Sequence, residues 1–258
     1  MVLAMAGVYS KQSFTEETKT VQTEDRRNIA FDHYKNGSET VIVLAHGFYN
    51  NKDTVLFKQM SEMFHKKYDV ICFDFRGHGE SDGVFTWTVY EEKDLRAVVK
   101  YAKEQGYKKV GVVGFSLGAA ISLIETNHNE DIDSLIAVSP PYDFWEIDYD
   151  LFEEETLEDI KLNMGPKGKG KSIRPGNPFM RKTRPIDIVQ EISPTPVMFL
   201  HGDKDWLINV EHSEKLYEKA QEPKQKVILE GAGHADRIYD RFPEKFEEVC
   251  FKWFEDTL

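Results

Sequence analysis

The stretch Val110-Gly111-Val112-Val113-Gly114-Phe115-Ser116-Leu117-Gly118-Ala119-Ala120 constrains this chain more than any other. Its β-branched opening reads as a parallel strand buried on both faces. The strand runs into Gly-x-Ser-x-Gly, and the Ala-rich apolar residues that follow read as a helix. A serine carried on so tight a strand-to-helix turn sits in strained backbone geometry, and side chains two residues to either side would collide. Gly114 and Gly118 remove those collisions. The turn is expected to leave the Ser116 hydroxyl exposed, with the Leu117 amide at the start of the new helix beside it. The pattern alone also arises by chance; the strand before it and the helix after it are what give it meaning.

The rest of the chain alternates in the same way. A hairpin is predicted from Thr20–Thr23 and Asn28–Tyr34, then an apolar strand over Thr40–Ala45 that ends in His46-Gly47-Phe48. A helix follows from about Lys52 to Lys66. The strand Tyr68–Phe73 leads into Asp74-Phe75-Arg76-Gly77-His78-Gly79-Glu80-Ser81, and a helix into the stretch from Val89 to Gln105. After the Ser116 turn come a helix to about Asn127, the strand Ile132–Ser139, the strand Thr195–Leu200, a helix over Val210–Ala220, and the strand Gln225–Leu229. A last helix starts near Pro243, a favourable first helical residue. Strands alternating with helices mean a mostly parallel sheet covered on both faces.

The rhythm breaks at Pro140-Pro141. Residues 141–187 carry no sheet pattern: aromatic at first (Tyr142, Phe144, Trp145, Phe152), then acidic, then glycine- and lysine-rich through Lys167, Lys169 and Lys171. Insertions of this length at strand ends tend to be functional. We expect a small helical cap at 141–187 on a core made of residues 1–140 and 188–258, with the lysine run a solvated loop.

Composition sets outer limits. A net charge of −12 over 258 residues argues against nucleic acid and against anionic membrane surfaces. Residues up to about Lys19 read as a loose arm, and Met1–Val8 as too short for a signal peptide. Two cysteines, Cys72 and Cys250, read as buried thiols, which favours a cytoplasmic location. No metal-ligand spacing, phosphate loop or dinucleotide fingerprint is seen, so no metal and no cofactor is expected. A homodimer is allowed by the sequence but not argued by it.

Polar signals now stand at four predicted strand ends: His46-Gly47-Phe48, Ser116, His201-Gly202-Asp203-Lys204-Asp205, and Gly233-His234. With the Asp74–Ser81 loop, they resemble the α/β-hydrolase superfamily, and more narrowly its small bacterial carboxylesterases, cinnamoyl (feruloyl) esterases and monoacylglycerol lipases. The likeness runs from about Thr20 to the end. It implies an α/β-hydrolase fold with a Ser116, Asp205, His234 triad, in that family's chain order. It implies oxyanion donors from the Phe48 and Leu117 amides, and places the acid at Asp205, leaving Asp203 to brace the turn. His46 and His201 read as local hydrogen-bonding residues, and Arg76 and His78 as a structural loop. One departure is Asn209, where the family usually has proline.

The function implied is a serine hydrolase acting on carboxylic esters of small to medium acyl or aryl groups. Phe48, Phe144 and Trp145 would line the pocket, with Phe152 and Phe179 contributing to an aromatic cap. The same triad could serve a thioesterase or a peptidase, the latter helped by Glu146, Asp148, Asp150 and Glu153. A catalytically dead, ligand-binding member is disfavoured because every triad and elbow residue is kept.

Overall fold

The computed structural model describes residues 18–128, 130–147, 157 and 173–258. Among them runs a twisted sheet of eight strands: β1 (Thr18–Gln22), β2 (Asn28–Tyr34), β3 (Thr40–Ala45), β4 (Asp69–Phe73), β5 (Lys109–Phe115), β6 (Ser134–Val138), β7 (Val197–Gly202) and β8 (Lys224–Leu229). Their order across the sheet is β1-β2-β4-β3-β5-β6-β7-β8. The first three are antiparallel neighbours, and β4 onward all pair in parallel. The helices are α1 (Val55–His65), α2 (Glu91–Glu104), α3 (Leu117–His128), the short α4 (Pro185–Ile188), α5 (Glu211–Lys219), α6 (Arg237–Arg241) and α7 (Pro243–Thr257). This is the mostly parallel sheet, covered on both faces, that the alternation predicts, and it agrees with the fold that the resemblance implies.

Alternation within each strand divides the core in two. Val41, Val43, Ala45, Val110 and Val112 face α2 and α3, meeting Leu95, Val98, Val99, Ala119 and Leu123. Ile42, Leu44, Val113 and Phe115 face the other way, onto Phe57, Met60 and Phe64 of α1 and Phe246, Cys250 and Phe254 of α7. Successive side chains on a strand point to opposite faces, so a run apolar at every position must be covered twice. Each face then supplies burial worth about 25 cal/mol per Å² of apolar surface. Cys72 and Cys250 are both buried free thiols on this second side.

Several predicted boundaries shift for local reasons. Helix α1 starts at Val55 and not Lys52, because the chain before it is pinned: Thr54 is extended, and Lys52 is buried with its ammonium 3.1 Å from Asp32 and 3.3 Å from Asp53. Helix α2 starts at Glu91 and not Val89, because Trp87 (φ +61°) and Thr88 (φ +77°) are both left-handed. The hairpin begins at Thr18, so the predicted arm is shorter than Lys19 on its folded side; residues 1–17 lie outside the described residues. Strand β7 begins at Val197 because Pro194 and Pro196 lack the N–H that pairing requires.

Much of the predicted cap also lies outside the described residues, including Asp148, Asp150, Phe152, Glu153 and Lys167 to Lys171. Its described parts are a 3₁₀ turn at Phe144–Glu146, the α4 turn, and a single parallel bridge between Phe85 and Pro175. The two ends of the insertion meet where the Ile186 N–H donates to the Tyr142 carbonyl (3.1 Å). Among the described residues no helix is long and apolar enough to cross a membrane.

Candidate active site

Parallel strands end on one edge of the sheet, and in open α/β sheets ligands bind beyond that edge. Ser116 stands there, just past β5, with φ +54°, a left-handed conformation that costs a non-glycine residue of order 1 kcal/mol. Its neighbours show why the strain persists. A Cβ on Gly114 would come within 2.6 Å of Ser122 Oγ and 2.7 Å of Ala119 Cα, and one on Gly118 would overlap the carbonyl oxygens of Ala45 and His46. The turn is therefore clamped between α3 and the loop that follows β3. Ser116 N–H donates to the Val138 carbonyl (2.9 Å), and the Ser116 carbonyl accepts from Ala119 and Ala120 to open α3.

The sequence suggests an exposed serine, but Ser116 is only 6% exposed. The cause is the His46-Gly47-Phe48 loop, which lies so close that a Cβ on Gly47 would sit 3.2 Å from Ser116 Cβ. His46 governs that loop. Its Nε2 accepts the Phe75 N–H (3.0 Å), so in the neutral ring Nδ1 carries the proton and donates to the Gly47 carbonyl (2.7 Å). That carbonyl belongs to the same planar trans peptide as the Phe48 N–H, so fixing one end of the plane aims the other. His78 Nε2 in turn donates to the Phe48 carbonyl (2.8 Å). Both histidines are thus hydrogen-bonding braces, as the sequence suggests. Asp74 ties the loop's far end down, accepting from the Lys52 N–H (2.7 Å) and the Glu80 N–H (2.8 Å). Burial pushes its carboxyl up to about 6.

Burial also pushes the His78 imidazole down to about 4, and His46 lies well below its usual value through burial and the nearby His78. An imidazole kept neutral by the fold takes its proton only on unfolding. The stability from these two residues is therefore complete above about pH 6.5 and drains away as pH falls below it, for His78 down to about 4, by up to ~1.4 kcal/mol per pH unit each. The raised carboxyls of Asp74 and Asp94 act in the opposite sense over the same range, so the histidine share is read as a difference: the urea midpoint of His78→Gln should fall less between pH 7 and pH 5 than that of the wild type. Parallel midpoints in the two proteins over this range would contradict the assignment.

Asp205 and His234 meet beyond the ends of β7 and β8. Asp205, in the turn after β7, has a side chain with no solvent exposure. Its Oδ1 accepts the Leu207 (3.0 Å) and Ile208 (2.8 Å) amides; His234 Nδ1 lies 2.8 Å from Oδ2 and 3.0 Å from Oδ1, and His201 Nε2 lies 3.1 Å from Oδ2. Burial alone would raise this carboxyl, but His234 and His201 outweigh it and hold it well below the usual carboxylate range. Because Nδ1 of His234 faces a carboxylate, it carries the proton, which leaves Nε2 as the ring's basic atom. Asp203 instead braces the turn, its Oδ1 accepting the Gly231 N–H (2.6 Å).

Ser139 joins the two halves. It follows Val138, the residue bonded to Ser116, and its Oγ accepts the N–H of Ala235, the residue after His234 (3.1 Å). Ser139 (φ +47°) and Ala235 (φ +45°) are both left-handed. Ser116 and His234 are so brought to either side of the β6 terminus.

A protein-family model for the α/β hydrolase fold matches residues 40–169. The chain belongs to the α/β-hydrolase family. Bacillus subtilis (strain 168) YqkD, an uncharacterized protein, is 32% identical over 207 residues, covering 75% of this chain and 64% of that one. This chain thus spans under two thirds of that relative. Escherichia coli (strain K12) YfhR, also uncharacterized, is 24% identical over 223 residues, covering 84% of this chain and 70% of that one. Among solved structures, a Pyrococcus furiosus esterase matches with a TM-score of 0.77 at 24% identity, covering 95% of this chain and 92% of that one. At that identity the likeness is one of fold.

Within this α/β hydrolase, the expected pocket residues form part of a ring ladder. Phe48 stacks on Trp87 (4.8 Å between centroids), Trp87 meets Phe144 edge-on (5.8 Å), and Phe144 meets Trp145 (5.0 Å). Trp145 lies towards the outside, 56% exposed, stacked on the still more exposed Phe179. Sequence reasoning missed Trp87. Its Nε1–H donates to the Gly176 carbonyl (3.1 Å), and its left-handed backbone is held because the buried Glu91 carboxylate accepts both the Thr86 N–H (2.6 Å) and the Thr86 hydroxyl (2.9 Å). The sequence signal available was the aromatic spacing Phe85-x-Trp87 after the glycine-rich loop. Asn209, the departure from the family's proline, turns the chain into α5, its side chain accepting the Glu211 N–H (3.0 Å).

Proposed function

We propose that this α/β hydrolase is a serine carboxylester hydrolase with Ser116 as nucleophile, His234 as general base and acid, and Asp205 as the orienting acid. The observation that carries the reading is the strained Ser116 at the same sheet edge as a fully buried Asp205 gripping His234 Nδ1. The mechanism follows from the proton positions. Ser116 Oγ attacks the ester carbonyl carbon while His234 Nε2 takes its proton. The carbonyl π electrons move onto oxygen, and the Phe48 and Leu117 amides receive that oxyanion; each such donor is worth roughly 3 kcal/mol in the transition state. Collapse breaks the bond to the alcohol oxygen, which leaves with the proton from His234. Water then enters and gives its proton to His234 as its oxygen bonds to the acyl carbon; collapse breaks the bond from that carbon to Ser116 Oγ, which takes the proton back from His234 as the acid leaves.

The core of residues 1–140 and 188–258 supplies this chemistry, and 141–187 supplies selectivity as a cap. Phe48, Trp87 and Phe144 form an apolar wall for the acyl or aryl group, with Trp145 at its outer end. The test is hydrolysis of p-nitrophenyl esters from acetate to decanoate, with thioesters and aminoacyl anilides alongside. Preference for oxygen esters is expected. Thioester or anilide preference would replace the ester reading.

The same series checks the wall. Trp87→Ala should cut the ratio of decanoate to acetate kcat/KM by about tenfold or more, since losing a large aromatic contact costs roughly 1.5–3 kcal/mol. Trp145→Ala should move it less. An unchanged ratio in Trp87→Ala would remove that ring from the pocket.

A further inference from the structure

We propose that His201 is a positioning residue of this site: its Nε2–H competes with His234 for one oxygen of Asp205 and so limits how strongly that carboxylate grips His234. The inference rests on the roles proposed above for Ser116, His234 and Asp205. His201 is completely buried at the end of β7. Its Nε2 faces two acceptors and no donor, the Ile208 carbonyl (2.8 Å) and Asp205 Oδ2 (3.1 Å). It therefore carries a proton in any charge state of the ring. In the neutral ring Nδ1 then accepts from the Ser213 hydroxyl (2.6 Å), so a residue of α5 fixes the ring's orientation.

Asp205 thus has four donors: the Leu207 and Ile208 amides on Oδ1, His201 on Oδ2, and His234, whose Nδ1 lies nearer to Oδ2 (2.8 Å) than to Oδ1 (3.0 Å). A hydrogen bond from His201 draws negative charge from the atom that faces His234 and places the positive end of a dipole nearby. Both effects disfavour a protonated His234. Removing that donor leaves more of the carboxylate's charge to His234, which then holds its proton to higher pH. The other ionisable groups close by are His212, which interacts with both His201 and Asp205, and the buried Asp236 two residues beyond His234. Neither replaces the donor on Oδ2.

Two substitutions separate the donor from the packing. His201→Asn keeps an acceptor for Ser213 but has no atom where Nε2 was. His201→Gln returns an amide N–H close to that place. The readout is the His234 ring titration followed by NMR, assigned with His234→Gln, together with the acid limb of kcat/KM. His201→Asn should raise the His234 midpoint by about half a pH unit or more, carry the acid limb with it, and lower kcat more than it changes KM. His201→Gln should return most of the way to the wild-type midpoint. Equal midpoints in wild type and His201→Asn, or equal shifts in the Asn and Gln variants, would overturn the proposal. A measurement on the unaltered protein stands apart from folding of the variants: ring nitrogen shifts must show His201 protonated at Nε2, and a neutral Nδ1–H form overturns it. If instead Ser116→Ala keeps wild-type turnover, the failure lies with the proposed nucleophile and not with His201.

Discussion

Ser116→Ala is expected to lower ester kcat by about 10⁴-fold or more while leaving the thermal midpoint within a few degrees of wild type. Alanine removes only the attacking oxygen. The elbow itself is set by backbone contacts of Gly114 and Gly118 with Ala119, Ala45 and His46, which the substitution does not touch. A left-handed alanine at this position is no more strained than the serine it replaces, so the fold should hold. Loss of turnover in a folded variant, with loss of stoichiometric labelling by a serine-directed phosphonate, establishes the nucleophile. A variant that keeps more than a tenth of the activity would assign the reaction to another group.

Asp205→Asn should cost about 10⁴-fold in kcat, for a reason that concerns protons more than charge. The amides of Leu207 and Ile208 hold Oδ1 and demand an acceptor there, so the new NH₂ group must take the place of Oδ2. It then points a donor at His234 Nδ1, which becomes the acceptor, and the ring proton moves to Nε2. The base is turned the wrong way round. The same NH₂ also meets the His201 N–H, so some loss of stability is expected as well. Asp203→Asn is the control, because its carboxylate holds the turn at Gly231 and an exposed contact with Lys204 and touches neither imidazole, so kcat should stay within a few-fold of wild type. Similar losses in both would mean that the Asp205 geometry is not what sustains turnover.

How legible all this was in the chain depends on the range of the interactions. The Ser116 turn was readable because two glycines and a strand–helix junction are local demands. The same holds for the hairpin before β3. The start of α2 was not readable: nothing in Trp87-Thr88 favours φ above zero, and the backbone is turned there by Glu91 and by ring contacts to Phe48 and Phe144. The shared carboxylate of His201 and His234 escaped for the same reason, since residues 201 and 234 meet only once β7 and the loop after β8 are side by side. Burial of Ser116 was misjudged because the covering loop comes from a strand about seventy residues earlier, between β3 and α1. Tertiary contacts of this kind leave no periodic trace.

The contact between Gly118 and the carbonyls of Ala45 and His46 joins the Ser116 turn and the His46-Gly47-Phe48 loop main chain to main chain. Selectivity, by contrast, is proposed to rest on the rings of Trp87, Phe144 and Trp145, held by side-chain stacking and one bond to Gly176. The reactive geometry therefore has almost no room to drift, whereas the wall can be rebuilt one ring at a time. For anyone seeking a different substrate range, the molecule divides itself: a fixed anvil of glycine and carbonyl, and an exchangeable set of jaws.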